Sequence, residues 1–303
     1  MFNLIRNEWM KILNRPGTYV MAGLLIAVVM ALSFILSYDF EEERTWQELI
    51  VEDSEYIQEI EITGISQGEY VEGQLAINDY RLANDLPPNS DSIWTYLDNI
   101  FVLITMVGLF TIIIASGIVA SESSWGTIKL LMIRPIPRWK ILLSKFITVA
   151  TFGLAMIGIL VTISVILGFI LFDTGGTLTH LSYENGVVVE GNMLAYLMKG
   201  YMFKSINVIL LATMSFMISA VFRNSSMALG ISLFLYFVGG TATGFIAMYY
   251  DWAKYSLFAN TDLSRSYPLV EGMTMTFSVI MILIYFALFV TLAFTVFTKR
   301  DIA

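Results

Sequence analysis

The sequence predicts an all-α integral membrane protein. It should have six transmembrane helices, an N-terminal interfacial elbow helix, a short basic cytoplasmic helix between the second and third spans, and a small acidic extracellular helical subdomain. Three observations carry this. The 303 residues are 57% hydrophobic and only 14% charged, with mean hydropathy +0.72, whereas soluble domains carry about 25% charged residues. Six stretches, 17–38, 99–121, 146–172, 205–222, 224–250 and 272–298, approach or exceed the roughly 20 apolar residues that a crossing helix needs. The basic residues cluster on alternate sides of those stretches.

None of the six stretches contains Asp, Glu, Lys, Arg or His. Ion-coupled carriers hold their coupling ion on such groups at membrane depth, so a proton relay within the spans is not expected. Energy for work on a substrate should arrive from outside the membrane. An intramembrane hydrolase would need paired Asp, a metal site or a Ser-His pair at depth, and the spans offer none. The chain has no cysteine and a single histidine, His180, which excludes disulfides, thiolate metal sites and a histidine-rich metal site. The first span is too long for a signal-peptide core and lacks a small-residue cleavage site after it, so it should be retained.

Charge sets the orientation. With the N-terminus inside, the inner segments hold 11 of the 17 basic residues against Glu8, Glu122 and Asp301, and the outer segments hold 22 of the 25 acidic ones. Lys and Arg in short loops resist translocation, so both termini should be cytoplasmic. The net charge of −8 then describes the outer face.

Taken in order, residues 1–16 (MFNLIRNEWMKILNRP) put Phe2, Ile5, Trp9, Ile12 and Leu13 on one helical face. They fit a helix lying in the interface before Pro16-Gly17 turns the chain into span 17–38. A basic flank with no mechanical role is the plainer alternative. Residues 39–98 carry 16 acidic and two basic residues and read as a helical subdomain broken by Gly64, Gly68, Gly73 and Pro87-Pro88. Too short to bury much core alone, this region should lean on the membrane, on other outer loops or on a second copy. The outer segment 173–204 ends in an amphipathic entry to the fourth span, with Lys199 and Lys204 able to snorkel outward. Segment 251–271 carries Trp252, Tyr255 and Phe258; it reads either as a short helix dipping into the outer leaflet or as an aromatic-belt loop.

Between the second and third spans lies 122–145. Trp125, Ile128, Leu131 and Met132 recur at helical spacing. Glu122 stands where a negative charge favours the positive end of the following helix, and Arg134-Pro135-Ile136-Pro137-Arg138 stops it. A short, rigid, basic helix at the inner surface could transmit a push to the adjoining spans. A positive-inside loop that happens to be helical fits the pattern as well.

The run Glu122, Gly126-Thr127-Ile128-Lys129, Arg134-Pro135-Ile136-Pro137-Arg138 and Lys145 resembles the coupling-helix signature of ABC type-2 exporter permeases, a family with lantibiotic-immunity, bacitracin-resistance and sodium-efflux members. The resemblance extends over the chain: the NEWMKILNRPGTYVM elbow, the turn at 219–226, the closing Phe297-Thr298-Lys299-Arg300-Asp301, and the stretch 77–82 with Pro87-Pro88 and Trp94, which is similar to Gram-positive members with an enlarged first outer loop. It implies a plasma-membrane permease paired with a second permease copy, identical or related. Two cytosolic ABC ATP-binding subunits would dock on the elbow and coupling helices, through Trp9, Lys11, Glu122, Trp125, Gly126, Thr127, Lys129, Arg134, Pro135 and Arg138. No G-x-x-x-x-G-K-[ST] phosphate loop occurs, so ATP and Mg would bind the partner subunit and this chain would carry no cofactor, no metal and no catalytic residue. Nucleic acid is not an expected partner; membrane lipid is.

The cargo implied is amphiphilic: an antimicrobial peptide, an antibiotic or a lipid. A sensing or resistance complex without full transport is the alternative. A pathway without charges would be lined by hydroxyls, amides and aromatics, with Thr105, Thr111, Ser116, Asn207, Ser232, Tyr236 and Thr241 as candidates, although most such groups in spans bond to backbone carbonyls or neighbouring helices. Gly240 and Gly244 form a small-x-x-x-small motif that allows close helix approach. The resemblance implies a dimer across which spans one and five meet, with the fifth span at the interface.

Overall fold

The computed structural model describes residues 1–38, 45–62, 68–88, 92–124, 136–175, 178–184, 186–222, 224–264, 269–270 and 272–299. Among them, six helical spans are long and apolar enough to cross a membrane: Pro16–Ser37, Ile93–Glu122, Arg138–Leu171, Met193–Phe222, Ser225–Ala247 and Met275–Lys299. The elements in chain order are α1 (Phe2–Leu13), α2 (Pro16–Ser37), α3 (Trp46–Ile62), α4 (Gly68–Ala83), α5 (Ile93–Asn99), a 3₁₀ turn at 100–103, α6 (Ile104–Ser124), α7 (Arg138–Leu171), β1 (Thr179–Glu184), β2 (Val187–Asn192), α8 (Met193–Phe222), α9 (Ser225–Ala247), α10 (Leu257–Asn260) and α11 (Met275–Lys299). Several helices run past the apolar stretches. α7 begins at Arg138 and α8 at Met193, because intrahelical hydrogen bonds continue through Lys140, Lys145, Lys199 and Lys204 at little cost while bilayer compatibility stops at the charges.

The chain divides into two compact units. The first comprises Met1–Val29, Val102–Ile163 and Met202–Ala303. α6 and α8 form its centre, with 67% and 61% of their span residues buried against 17% for α9 and for α11. Ile112 of α6, Leu210, Met214 and Ile218 of α8, Ala228 of α9 and Ile282 and Phe289 of α11 share one apolar core. Hydroxyls fasten the central pair: Ser215 Oγ donates to the Ile112 carbonyl at 3.2 Å, and Ser219 Oγ donates to the Ser116 carbonyl at 2.6 Å and accepts from the Ala120 amide at 3.0 Å. With no water at depth, such bonds are how a span satisfies its polar atoms. α9 packs on α6 where Gly108 lets the Tyr236 ring approach; a Cβ there would stand 3.0 Å from the Tyr236 hydroxyl. The segment after α9 is helical in part, a 3₁₀ turn at Asp251–Tyr255 followed by α10. It is pinned by the Tyr285 hydroxyl, which donates to the Tyr255 carbonyl at 2.8 Å.

The second unit comprises Met30–Phe101 and Ser164–Tyr201. The Asn78 amide of α4 donates to Asp53 Oδ2 and Ser54 Oγ of α3, both at 3.0 Å. Gly73 lies within α4 and does not break it, and Gly68 is its first residue. The all-α expectation needs correction here, because segment 173–204 contains an antiparallel hairpin, β1 against β2, in register from Thr179↔Asn192 to Glu184↔Val187. The chain turns at Gly186. Gly186 adopts φ +83°, a conformation glycine reaches without steric cost, as the tight hairpin turns require. The hairpin meets α4 through Tyr183 Oη donating to Glu72 Oε1 at 2.8 Å and Tyr80 Oη donating to Glu190 Oε1 at 3.0 Å. His180 stacks on Tyr196, ring centroids 3.7 Å apart, and burial together with the nearby Arg81 charge lowers its pKa.

Candidate functional site: a buried cluster of four charges

α1 forms from a run with no Pro or Gly before Pro16, and its last-turn Lys11 suits the helix C-terminus. Its buried face differs from the apolar face predicted. Glu8 and Ile12 are the buried residues, whereas Phe2 and Leu13 face away from the protein. The reason is electrostatic. Lys145, about two turns into α7 from Arg138, is 1% exposed in its side chain and an ammonium that dry needs acceptors for all three N–H groups.

It has them: Glu8 Oε2 at 2.9 Å, Glu122 Oε1 at 2.8 Å and the Ile118 carbonyl at 3.2 Å. Lys11 closes the ring, with Glu8 Oε1 at 2.7 Å and Glu122 Oε1 at 2.8 Å. Each lysine therefore meets both carboxylates, and the cluster is neutral overall. Burial pushes the Glu8 carboxyl up, but Lys145 and then Lys11 outweigh it and hold its pKa below the usual value. Burial likewise pulls Lys11 down, and its bonds to Glu122 and Glu8 overcome that and raise it.

Glu122 lies in the last turn of α6, where a carboxylate opposes the helix dipole, and the two lysines stabilise it there; the helix it is expected to precede falls in 125–135, outside the described residues. α1 is further anchored by Trp9 Nε1, which donates to Thr151 Oγ1 of α7 at 3.1 Å, with the indole 6.3 Å from the Phe152 ring. Thr18 Oγ1 of α2 donates to the Ile12 carbonyl at 2.6 Å. At the start of α7, Arg138 Nη1 donates to the Thr298 carbonyl of α11 at 3.3 Å. The arrangement joins α1, the end of α6 and the start of α7.

Of the residues predicted to couple, Trp9, Lys11, Glu122 and Arg138 take part in these contacts, and Trp125, Gly126, Thr127, Lys129, Arg134 and Pro135 lie outside the described residues. Glu8 and Lys145 complete the cluster. In the sequence Glu8 stands out only as one of three inner acids and Lys145 only as the end of the run that resembles a coupling-helix signature; the signal for their pairing is that Glu122 and Lys145 are opposite charges closing two adjacent spans.

None of the predicted pathway residues is among those lining the cleft of Leu154, Ile209 and Leu283. Thr111 is fully buried and its hydroxyl donates to the Val107 carbonyl at 2.7 Å, and Ser116 Oγ donates to the Ile113 carbonyl at 3.0 Å. The Tyr236 hydroxyl donates to the carbonyl of Thr105. Ser232 is fully buried and its hydroxyl has no partner among the described residues, nor has the Asn207 side-chain oxygen. Thr241 is exposed. Added Cβ atoms at Gly240 and Gly244 would meet nothing within 4 Å, whereas one at Gly239 would stand 2.4 Å from the Phe258 ring. Within the chain Gly239 is thus the packing glycine, and Gly240 and Gly244 face open space.

A family model described as a protein of unknown function, DUF2705, matches residues 75–303. The chain is 48% identical over 313 aligned positions, spanning all of both chains, to the uncharacterized protein YhcI of Bacillus subtilis. It is 29% identical over 199 positions, 63% of this chain and 76% of the relative, to the uncharacterized membrane protein YdbK of the same organism. The chain belongs to the DUF2705 family and is a membrane protein.

Proposed function

We propose that this member of the DUF2705 family is the permease subunit of an ATP-driven ABC-type exporter, moving an amphiphilic cargo such as an antimicrobial peptide, an antibiotic or a lipid. The observation that carries the reading is the buried cluster tying α1 to both helices that flank residues 125–135. A load applied to α1 and to that loop would reach α6 and α7 together, because no member of the cluster can shift without stranding a charge in a dry site. In this reading α1 is the interfacial elbow and 125–135 the coupling helix. Two cytosolic ATP-binding subunits dock on them and supply ATP and Mg, and a second permease copy packs on the open Gly240-Gly244 face of α9. Enzymatic activity resides on the ATP-binding subunit. The test is to purify the chain with a cytosolic ABC ATP-binding subunit and screen amphiphiles for stimulated ATP turnover. No association, or turnover indifferent to the chain, would count against the reading.

The orientation that goes with it has both termini cytoplasmic and the second unit outside, from the Lys/Arg distribution. Cysteines placed singly at Glu72 and Asp262 in this Cys-free chain should react with an impermeant reagent in intact cells, and one at Arg138 only after lysis. Labelling of position 138 in intact cells would reverse the assignment.

A second reading, a sensing or resistance complex in which the second unit captures a cationic compound, is favoured by the acidic run Glu48, Glu52, Asp53, Glu55 and Glu59 on α3. It predicts that changing Glu52, Asp53 and Glu55 to Gln or Asn weakens protection against cationic compounds alone, and less so at high salt.

A further inference from the structure

We propose that a cleft in the first unit binds one acyl chain of a membrane phospholipid whose phosphate is held by Lys204. The cleft lies between α7, α8, α11 and the segment after α10. Its volume is about 470 Å³, within the range of about 300–1,000 Å³ typical of small-molecule sites. Leu154, Ile206, Ile209, Leu263, Leu283 and Phe286 are among its walls. A space lined this way gives water no hydrogen-bond partners, so its natural occupant is apolar. Its α8 wall runs from Met202 to Leu210, a rise of about 12 Å at about 1.5 Å per residue. The slot is therefore elongated along the helices, the shape of an extended chain.

What identifies the headgroup is an ion pair whose two residues each adjoin a lining residue in the chain. Lys204 directly precedes the lining residue Ser205, and Asp262 directly precedes Leu263. Lys204 Nζ donates to Asp262 Oδ1 at 3.0 Å, with both side chains partly exposed, 27% and 34%. The same Asp262 oxygen also accepts from the Ser264 amide and hydroxyl, so the carboxylate is held by its own turn whether or not the lysine stays. An ammonium has three N–H groups, and Lys204 spends one of them on Asp262. A lysine beside an apolar slot, with two N–H groups left over from its bond to Asp262, matches a phosphate above an acyl chain, with the Lys204 stem lying along apolar surface and its head turned to the interface. The inference needs only a chain embedded in a bilayer and stands independently of the exporter reading.

The test uses the purified full-length chain without any ATPase and two photoreactive lipids, each carrying a diazirine at the end of one acyl chain: a phosphatidylglycerol and a diacylglycerol lacking the phosphate. Adducts should concentrate on peptides containing Ile206–Leu210 and Leu283–Phe286. Lys204→Ala should cut phosphatidylglycerol labelling there by about tenfold, the worth of a hydrogen bond to a charged group, and leave diacylglycerol labelling unchanged. Ile209→Trp with Leu283→Trp should fill the slot and reduce both. Unchanged labelling in Lys204→Ala, or adducts no denser in the slot than around Phe234 and Phe237 of α9, would overturn the proposal. Protection of the slot from both lipids in a dimer, with labelling only in the monomer, would assign it to a second copy and overturn it equally.

Discussion

Two ionic contacts in the first unit are made of the same residue types and do different things. In the four-charge cluster Lys145 is 1% exposed and reaches two carboxylates and a backbone carbonyl. At the slot, Lys204 and Asp262 are 27% and 34% exposed and share one bond. Water is the difference. A buried ion forgoes hydration worth several kcal/mol and is tolerated only where every donor and acceptor is matched, so removing one partner costs about 3–5 kcal/mol. A partly exposed pair is screened, and losing it costs about 0–1 kcal/mol. The first contact therefore fixes geometry, and the second is free to exchange its partner for a ligand.

Lys145→Met should break this contrast most severely. It leaves Glu8 and Glu122 with Lys11 alone in a dry site, an expected loss of about 3–5 kcal/mol, read as a fall in thermal unfolding temperature and in membrane-inserted yield. A variant as stable as wild type would show that water already enters the cluster. The double variant Glu8→Leu with Lys145→Met should recover part of the loss, because it removes a complete pair and leaves Lys11 facing Glu122. A coupling of about 1–3 kcal/mol between the two positions is the expected non-additivity, and strict additivity would argue that the pair does not interact.

The pH response is smaller and separates the members. Glu8 titrates below its ordinary value of 4.5 and Lys11 above its ordinary 10.5. A carboxylate with a depressed pKa contributes stability above the unfolded value and loses it as pH falls through the folded one. A lysine with a raised pKa contributes below the unfolded value and loses it as pH rises through the folded one. Their contribution should be flat between about pH 5 and pH 10 and decline on both sides, with Glu8→Gln removing much of the acid-side decline. A steep change near neutrality would contradict the assignment. Smallest of all, Lys204→Ala should move the unfolding temperature little, consistent with about 0–1 kcal/mol. A large drop would mean that Lys204 is structural and not poised for a ligand.

The six spans were legible because bilayer crossing is a demand on composition, and composition is local. Their ends were not. Hydropathy ends a span at Lys145 or Lys204, while the helix ends where backbone hydrogen bonding ends, so α7 and α8 each extend well beyond the apolar stretch. The hairpin was overlooked although Asn185-Gly186 between Tyr183 and Val187-Val188-Val189 is a recognised turn signal. Six residues are short beside a 30-residue helix, and the segment was read for its amphipathic end. The cluster was half legible. Lys11, Glu122, Lys145 and Trp9 belong to the stretches that carry the resemblance, but Glu8 and the pairing of Lys145 with it acquire meaning only when α1 is laid across α6 and α7, a relation of residues more than 100 positions apart. The hydroxyls of Thr111 and Ser116 were read as pathway candidates, and their bonds to their own helix follow from local rules that the sequence already allowed.

The most direct test of the coupling claim is the ATP turnover that the permease induces in its partner subunit, measured as turnover of the complex beyond that of the ATP-binding subunit alone. Glu8→Gln keeps the side-chain shape and a hydrogen-bond acceptor while removing the charge that Lys145 and Lys11 share. The expected result is a complex of unchanged stoichiometry whose permease-dependent turnover falls about tenfold or more, consistent with the loss of about 1.5–3 kcal/mol for a charged hydrogen bond. Permease-dependent turnover equal to wild type in an intact complex would show that the cluster holds the helices together without passing force between them.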